Sequence, residues 1–319
     1  MNNPASDKQQ PYDIIGDIHG CAYELETLLG ELGYREIDGT FQHPSGRKVI
    51  FLGDYIDRGP EIRRVLQIVR AMIDGYQALG ILGNHEINAL RYHQRGPDGE
   101  WLRAHGKGKK HQHKATLAQL VQPHPEEWND WRQWLAHLPM WLDLPGLRVV
   151  HAAWSDSQIA ILRGHGPLSG DELVRLSEKE STEAKAISEL LNGLELPLPE
   201  GEFFETPDLQ KRTEFRSRWW NDLRGLSNRQ AVFPDDPRMG DSPCIVPAKH
   251  APYPDSAVPV FFGHYAVLND LAGPLASNVA CLDYGAAKGG RIGAYRWDCE
   301  CELDAAKFFL SPKTEAYHG

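Results

Sequence analysis

An α/β layered fold is predicted for this 319-residue chain by two observations. Strand-like apolar runs alternate with helix-like segments through its first half, and further apolar runs recur after residue 257. YDII (12–15) reads as a buried strand, and AYELETLLGELGY (22–34) as a helix ending near Gly33. KVIFLG (48–53) is the next apolar strand. In the segment after it, Pro60 and Glu61 suit a helix's first turn. Ile62, Val65, Leu66, Val69 and Met72 then follow at the three-to-four spacing of a core-facing stripe. YQALGILGNHE (76–86) is expected to be a third strand, residues 103–138 to be helical, and LRVVHAAW (147–154) to be another strand. Between about 155 and 257 the character changes. An acidic helix is expected over DELVRLSEKESTEAKAISELL, then an aromatic stretch, EFRSRWWNDL, then a proline-rich segment that can sustain neither helix nor ladder. VPVFFGHY, SNVACLD and RIGAYRWDCECEL read as three strands returning to the core. The expected organisation is a disordered leader over 1–11 and a single domain over 12–319, with 155–257 inserted as a cap.

Composition narrows the function. Hydrophobic content of 41% and charged content of 24% suit a soluble globular protein. The net charge of −10 argues against a broad nucleic-acid or anionic-membrane surface, which would need a basic face. No apolar run approaches a membrane span, and the start MNNPASDKQQP has no signal-peptide core, so a cytoplasmic location is expected. The five cysteines, Cys21, Cys244, Cys281, Cys299 and Cys301, match no zinc-knuckle spacing and read as mostly reduced thiols, with Cys299 and Cys301 two apart on an edge strand.

The chemistry lies at the ends of the strands. In YDIIGDIHG, Asp17 and His19 are two apart, so an extended backbone sends both side chains to one side. A carboxylate beside an imidazole suits a divalent transition metal. The pattern recurs in GDYIDRG (53–59), GNHE (83–86), VVHAAW (149–154) and FFGHY (261–265). In open α/β sheets ligands gather beyond the carboxyl ends of strands, where such groups can meet.

The ordered set GDxHG, GDxxDRG and GNHE resembles the signature of the phosphoprotein-phosphatase branch of the binuclear, calcineurin-like metallophosphoesterases. His151 and His264 stand where that family has its two later histidine motifs, although Ala153 and Tyr265 replace a common glycine and threonine. The resemblance implies two mixed β-sheets packed as a sandwich and flanked by helices. It implies one metal held by Asp17, His19 and Asp54, and a second held by Asp54, Asn84, His151 and His264, with Asp54 bridging. No organic cofactor is expected. Mixed oxygen and nitrogen ligation suits manganese first, with iron, zinc or cobalt also compatible. His85, oriented by Asp57, would be the general acid, and Arg58 would fork onto phosphate oxygens. For Glu86 a place in a helix's first turn or behind the ligands weighs equally with a chemical role.

The resemblance thus implies a metal-dependent phosphomonoesterase of protein-phosphatase type, with metal-bound hydroxide attacking phosphorus directly. Its partners would be a phosphorylated protein or a small phosphoester, without a membrane. The alternative is a nucleotide or RNA-end phosphatase or phosphodiesterase, and a dinucleoside-tetraphosphate hydrolase is ranked below both because the Asp57-Arg58 pair follows the phosphatase pattern. GDIHGCAYELETLLGELGY and CLDYGAAKGGRIGAYR also resemble the phosphatase module of bacterial polynucleotide kinase–phosphatases. A scaffold that binds phosphate silently would be expected to lack a ligand or the acid, and none is missing. Arg103, Lys107, Lys109, Lys110 and Lys114 read first as a solvated loop, and in functional terms as a collar for a polyanion. One of Arg216, Arg218 and Arg224 would be a second phosphate clamp, while Trp219 and Trp220 read as packing.

Overall fold

In the computed structural model, which describes residues 9–205, 211–268 and 272–317, the architecture is a sandwich of two mixed sheets. Residues 1–8 of the expected leader lie outside the described residues. Strand β1 (Tyr12–Ile15) leads into helix α1 (Ala22–Glu31). A small hairpin, β2 (Arg35–Ile37) and β3 (Thr40–Gln42), precedes β4 (Lys48–Phe51), α2 (Ile62–Asp74) and β5 (Ala78–Gly80). Helix α3 (Asn84–Tyr92) follows directly. The segment expected to be helical holds α4 (Lys107–Gln112), α5 (Lys114–Thr116), a π-helical turn at Leu117–Val121 and α6 (Pro125–Ala136). Strands β6 (Trp141–Leu144) and β7 (Leu147–Val150) form a hairpin.

The segment after β7 carries α7 (Asp156–Leu162), α8 (Gly170–Arg175) and α9 (Thr182–Asn192). Two small strand pairs follow, β8 (Glu195–Pro197) with β11 (Glu214–Arg216) and β9 (Phe204–Glu205) with β10 (Lys211–Arg212), and then α10 (Asn228–Ala231). The chain returns through β12 (Val260–Phe262), β13 (Val279–Cys281), β14 (Asp283–Tyr284), β15 (Arg291–Trp297) and β16 (Phe308–Leu310).

The first sheet has the order β14-β15-β1-β4-β5, with β16 also paired to β15. Strand β1 is parallel to β4 and antiparallel to β15. The second sheet runs β13-β12-β7-β6, parallel except for the β6–β7 hairpin. Alternation along each strand decides which layer a side chain joins. Ile14, Ile50, Leu147, Val149, Phe261, Ala280, Tyr295 and Trp297 are buried together between the sheets, where the Phe261 and Tyr295 rings lie 5.1 Å apart. Their alternates, Ile15, Val49 and Phe51, join Leu25, Leu28, Val65 and Met72 of α1 and α2 in a second layer. The predicted α2 stripe is fully buried. On the far side, Trp219 and Trp220 pack against Phe262 with ring centroids 5.3 and 5.5 Å away, so they are packing residues.

Several local expectations are corrected. The strand predicted over 76–86 is only three residues long, because Gly83 caps α3 and Asn84–Glu86 form that helix's first turn. The acidic helix is two helices: Glu180 takes a left-handed φ of 64°, and the Ser181 side chain accepts the Ala184 N–H to start α9 afresh. Cys299 and Cys301 lie beyond the end of β15 in a bend, with Cys299 at φ 74°, and not on an edge strand. The cationic segment is a loop only as far as Gly106, since Lys107, Lys109 and Lys110 lie on α4 and Lys114 opens α5.

A candidate binuclear metal and phosphate site

The site residues come from loops that leave the carboxyl ends of β1, β4, β5, β7 and β12. The chain turns sharply there. His19, Asp54, Asp57, Arg58 and His264 all adopt left-handed φ values, from 47° to 72°. Such conformations cost roughly 1–3 kcal/mol each and cluster where surrounding structure enforces a functional geometry. Close backbone approach helps. A Cβ on Gly83 would lie 2.1 Å from Asp54 Oδ1, and one on Gly263 would lie 2.0 Å from Asp17 Oδ1, so both positions need glycine.

All six predicted metal-site residues converge. Asp54 is at the centre: its Oδ2 is 3.4 Å from His19 Nε2, its Oδ1 is 3.5 Å from His151 Nε2, and Oδ1 accepts the His85 backbone N–H at 3.0 Å. Asn84 Oδ1 lies 3.1 Å from His151 Nε2 and 3.2 Å from His264 Nδ1. Both Asp17 oxygens are 3.2 Å from the His264 backbone nitrogen, which donates to them. Two groups, His19–Asp54–His85 and Asp54–His151–His264, have donor atoms within 4.8 Å of one another. His19 Nδ1 donates to the Ile56 carbonyl at 2.9 Å and His151 Nδ1 to the Leu52 carbonyl at 2.8 Å. Those carbonyls fix each ring so that Nε2 faces the centre.

The electrostatics suit cations. Burial, then Asp283, raises Asp17 well above the usual carboxyl range. Burial, then Arg58, holds His19 well below its ordinary value, and burial with Arg216 does the same to His264, so both rings are neutral. Burial opposes a charge on His151, but Asp54 and Asp17 override it and carry the imidazole up to about 10. Buried carboxylates and imidazoles around one point, with the buried His264 Nε2 lacking any hydrogen-bond partner, are a donor set that fits divalent transition metals.

A second cluster adjoins the first. His85 Nδ1 donates to Asp57 Oδ2 at 2.6 Å, and Arg58 Nη2 reaches His85 Nε2 at 3.4 Å. Burial pushes the Asp57 carboxyl up, yet hydrogen bonds from His113 and His85 more than offset it and keep the group ionised. Glu86 accepts backbone N–H bonds from Gly83, Asp54, Tyr55 and Ile56 at 2.8–3.3 Å, so it ties the β4 loop to the start of α3. Cys21 is buried, and burial together with Glu24 raises its thiol to about 12, which removes it as a nucleophile.

Among the three candidate arginines, Arg216 opens into this cleft, whereas Arg218 pairs with Asp235 and Arg224 with Asp222. Of the cationic segment, Arg103 and Lys109 line the cleft, while Lys107, Lys110 and Lys114 are exposed elsewhere on the surface. Sequence reasoning missed Asp283, Lys288 and His113, which also line it. Asp283 and Lys288 fall inside CLDYGAAKGG, a stretch already noted but without a role for its polar residues.

Comparison with known proteins gives the family. The sequence profile of the calcineurin-like phosphoesterases matches residues 11–286. A protein of Oceanobacillus iheyensis named bis(5'-nucleosyl)-tetraphosphatase PrpE (asymmetrical) is 45% identical over 82 residues, which are 26% of this chain and 33% of that protein. Its namesake from Geobacillus thermodenitrificans is 49% identical over 80 residues, 25% of this chain and 33% of its own length. The chain therefore matches about a third of these relatives. A protein serine/threonine phosphatase structure from Saccharomyces cerevisiae superposes with a TM-score of 0.50 at 13% identity, covering 98% of this chain and 82% of that one, a likeness of fold.

Proposed function

The chain belongs to the calcineurin-like phosphoesterase family and is a phosphoric ester hydrolase, and from that premise we propose that its substrate carries a run of phosphates, as a nucleotide polyphosphate does. The observation that carries the proposal is the cationic lining. Arg58 and Arg216 line the cleft beside the proposed metal ligands, and Arg103, Lys109 and Lys288 extend positive charge along it. One phosphoryl group needs fewer. The relatives named tetraphosphatases support this reading over a phosphoprotein substrate, which the sequence motifs alone had put first.

In the proposed mechanism Asp17, His19 and Asp54 would hold one cation, and Asp54, Asn84, His151 and His264 would hold a second. Two divalent ions, when bound, add positive charge beside the phosphate and ionise a water at neutral pH. The neutral Asn84 leaves that charge uncancelled where another aspartate would not. Arg58 offers a planar fork of donors that fixes the phosphate in line. His85 then gives the proton on Nε2 to the departing oxygen, while Asp57 holds its Nδ1. Leu52 and Ile56 keep the ligand rings in the required tautomer.

Manganese, alone and as the probe, should bind with a defined pH dependence. His151 is protonated below about 10, so a cation must expel that proton. Affinity should weaken by roughly tenfold or more for each pH unit lost between 8.5 and 6.5. Titration calorimetry in buffers of different ionisation enthalpy would show the proton release; a pH-independent affinity would contradict the assigned ligand set.

Substrate class is tested by substitution on the cationic wall. Arg103→Ala and Lys109→Ala should each raise KM for a dinucleoside tetraphosphate by roughly tenfold, the scale of one lost charge-assisted bond, and leave KM for nitrophenyl phosphate within about twofold. Equal effects on both substrates, or brisk turnover of a phosphopeptide with none of the tetraphosphate, would return the protein-phosphatase reading to first place.

A further inference from the structure

We propose that His113 is a positioning residue that locks the Asp57–His85 pair and couples it to the cationic wall of the cleft. The inference rests on the reading of His85 as proton donor given above. His113 stands at the junction of α4 and α5, buried, and its Nδ1 donates to Asp57 Oδ1 at 2.8 Å. His85 Nδ1 holds the other oxygen, Oδ2, at 2.6 Å. One carboxylate is thus gripped at opposite ends by two imidazoles. Thr116 completes the grip: its hydroxyl donates to Oδ1 and accepts the Asp57 backbone N–H at 3.1 Å.

The physical need for a second grip is specific. The terminal torsion of an aspartate is broad, so a carboxylate bonded only to His85 could swing and carry the ring with it. Fixing Oδ1 removes that freedom and sets the plane of the His85 imidazole. His113 is itself held. Its Nε2 shares a proton with His93 Nε2 at 3.3 Å, and its ring lies 5.2 Å from Tyr92 and 6.0 Å from Trp128.

The coupling follows from where His113 is attached. Helix α4 also carries Lys109 and Gln112, and Gln112 Oε1 accepts from Arg103 at 2.8 Å. Arg103, Lys109 and Gln112 line the cleft that would take the substrate's further phosphates. One short helix therefore presents Lys109 and Gln112 to the cleft and leads directly into the His113 that holds Asp57. None of the residues in this linkage, His93, His113, Thr116 or Gln112, is required to touch the reacting phosphorus.

The test exploits leaving-group chemistry. A proton donor matters for an alkoxide leaving group and little for dinitrophenolate, which departs unassisted. With manganese-loaded protein, His113→Leu should lower kcat for an alkyl phosphate by about 10- to 100-fold and for dinitrophenyl phosphate by less than about threefold, with KM unchanged within twofold. His113→Asn, whose amide N–H can stand where Nδ1 does, should restore most of the loss. In a His85→Asn background His113→Leu should cost almost nothing further, since the two act through one group. The protein without added metal supplies an independent readout: the downfield imidazole proton bonded to Asp57 from His113 should vanish from the NMR spectrum of His113→Leu while that of His85 broadens.

Equal losses on both esters, additive losses in the double variant, or no loss at all would overturn the inference. If His113→Leu does not fold, a His113→Asn variant with the same deficit as His85→Asn would overturn it too. Wild-type protein that hydrolyses neither ester would sink the enzymatic reading itself, a result distinct from an active enzyme indifferent to position 113.

Discussion

Asp54→Asn should reduce turnover of nitrophenyl phosphate by at least about a thousandfold, because the substitution strikes the group that both proposed metal positions share. Asp54 touches His19 at 3.4 Å, His151 at 3.5 Å and the His85 backbone at 3.0 Å. Burial would raise its pKa, but His151 and His85 hold it well below the usual range, so it is a buried anion. Asparagine keeps the shape and can still accept the His85 N–H. What it loses is one of two negative charges facing the cations. The variant should therefore fold like the wild type, melt at a similar temperature and retain less manganese after dialysis. Chelation followed by manganese add-back, with elemental analysis beside the rate assay, separates the outcomes. Near-normal turnover in Asp54→Asn would refute the binuclear assignment.

His85→Asn should lower kcat for alkyl phosphates by about 10²–10⁴-fold, the usual contribution of a positioned acid, and leave bound manganese unchanged. The geometry makes this test necessary. His85 Nε2 lies 3.9 Å from Asp54 Oδ2, and its donor atom falls in one group with those of His19 and Asp54. Proximity alone would allow His85 to be a ligand. Its Nδ1 bond to Asp57 argues for the proton-transfer role. Loss of one equivalent of metal in His85→Asn would move it into the ligand set.

Much of the site was legible in the sequence because its residues sit at the ends of short apolar strands. That position is written locally: an apolar run, a glycine, then acid or imidazole. Asp17, His19, Asp54, Asn84, His151 and His264 were all named on this basis or by resemblance, and the fold brings them together. The sheet alternation was equally legible, since Ile14 and Ile15 could only face opposite layers. What could not be read depends on tertiary convergence. Arg216, Arg218 and Arg224 look alike in sequence, and only the pairing of the latter two with Asp235 and Asp222 singles out Arg216. His113 lay unremarked in a lysine-rich stretch, because its partner Asp57 is 56 residues away. The strand before α3 reads too long in the sequence, although Glu86 at the third position of α3 is a helix-start signal. The apolar run before it dominated the reading.

The antiparallel pairing of β1 with β15 has a consequence for folding. Tyr12 sits opposite Trp297 and Ile15 opposite Ala294, and the Gly16 N–H donates to the Gly293 carbonyl at 2.9 Å, one residue before Asp17. Strand β1 thus waits for β15 before its central place in the sheet is sealed. Contacts of such long sequence separation are slow to form and leave intermediates open to aggregation. The loop that carries Asp17 and His19 is therefore anchored on this side only once β15 has docked beside β1.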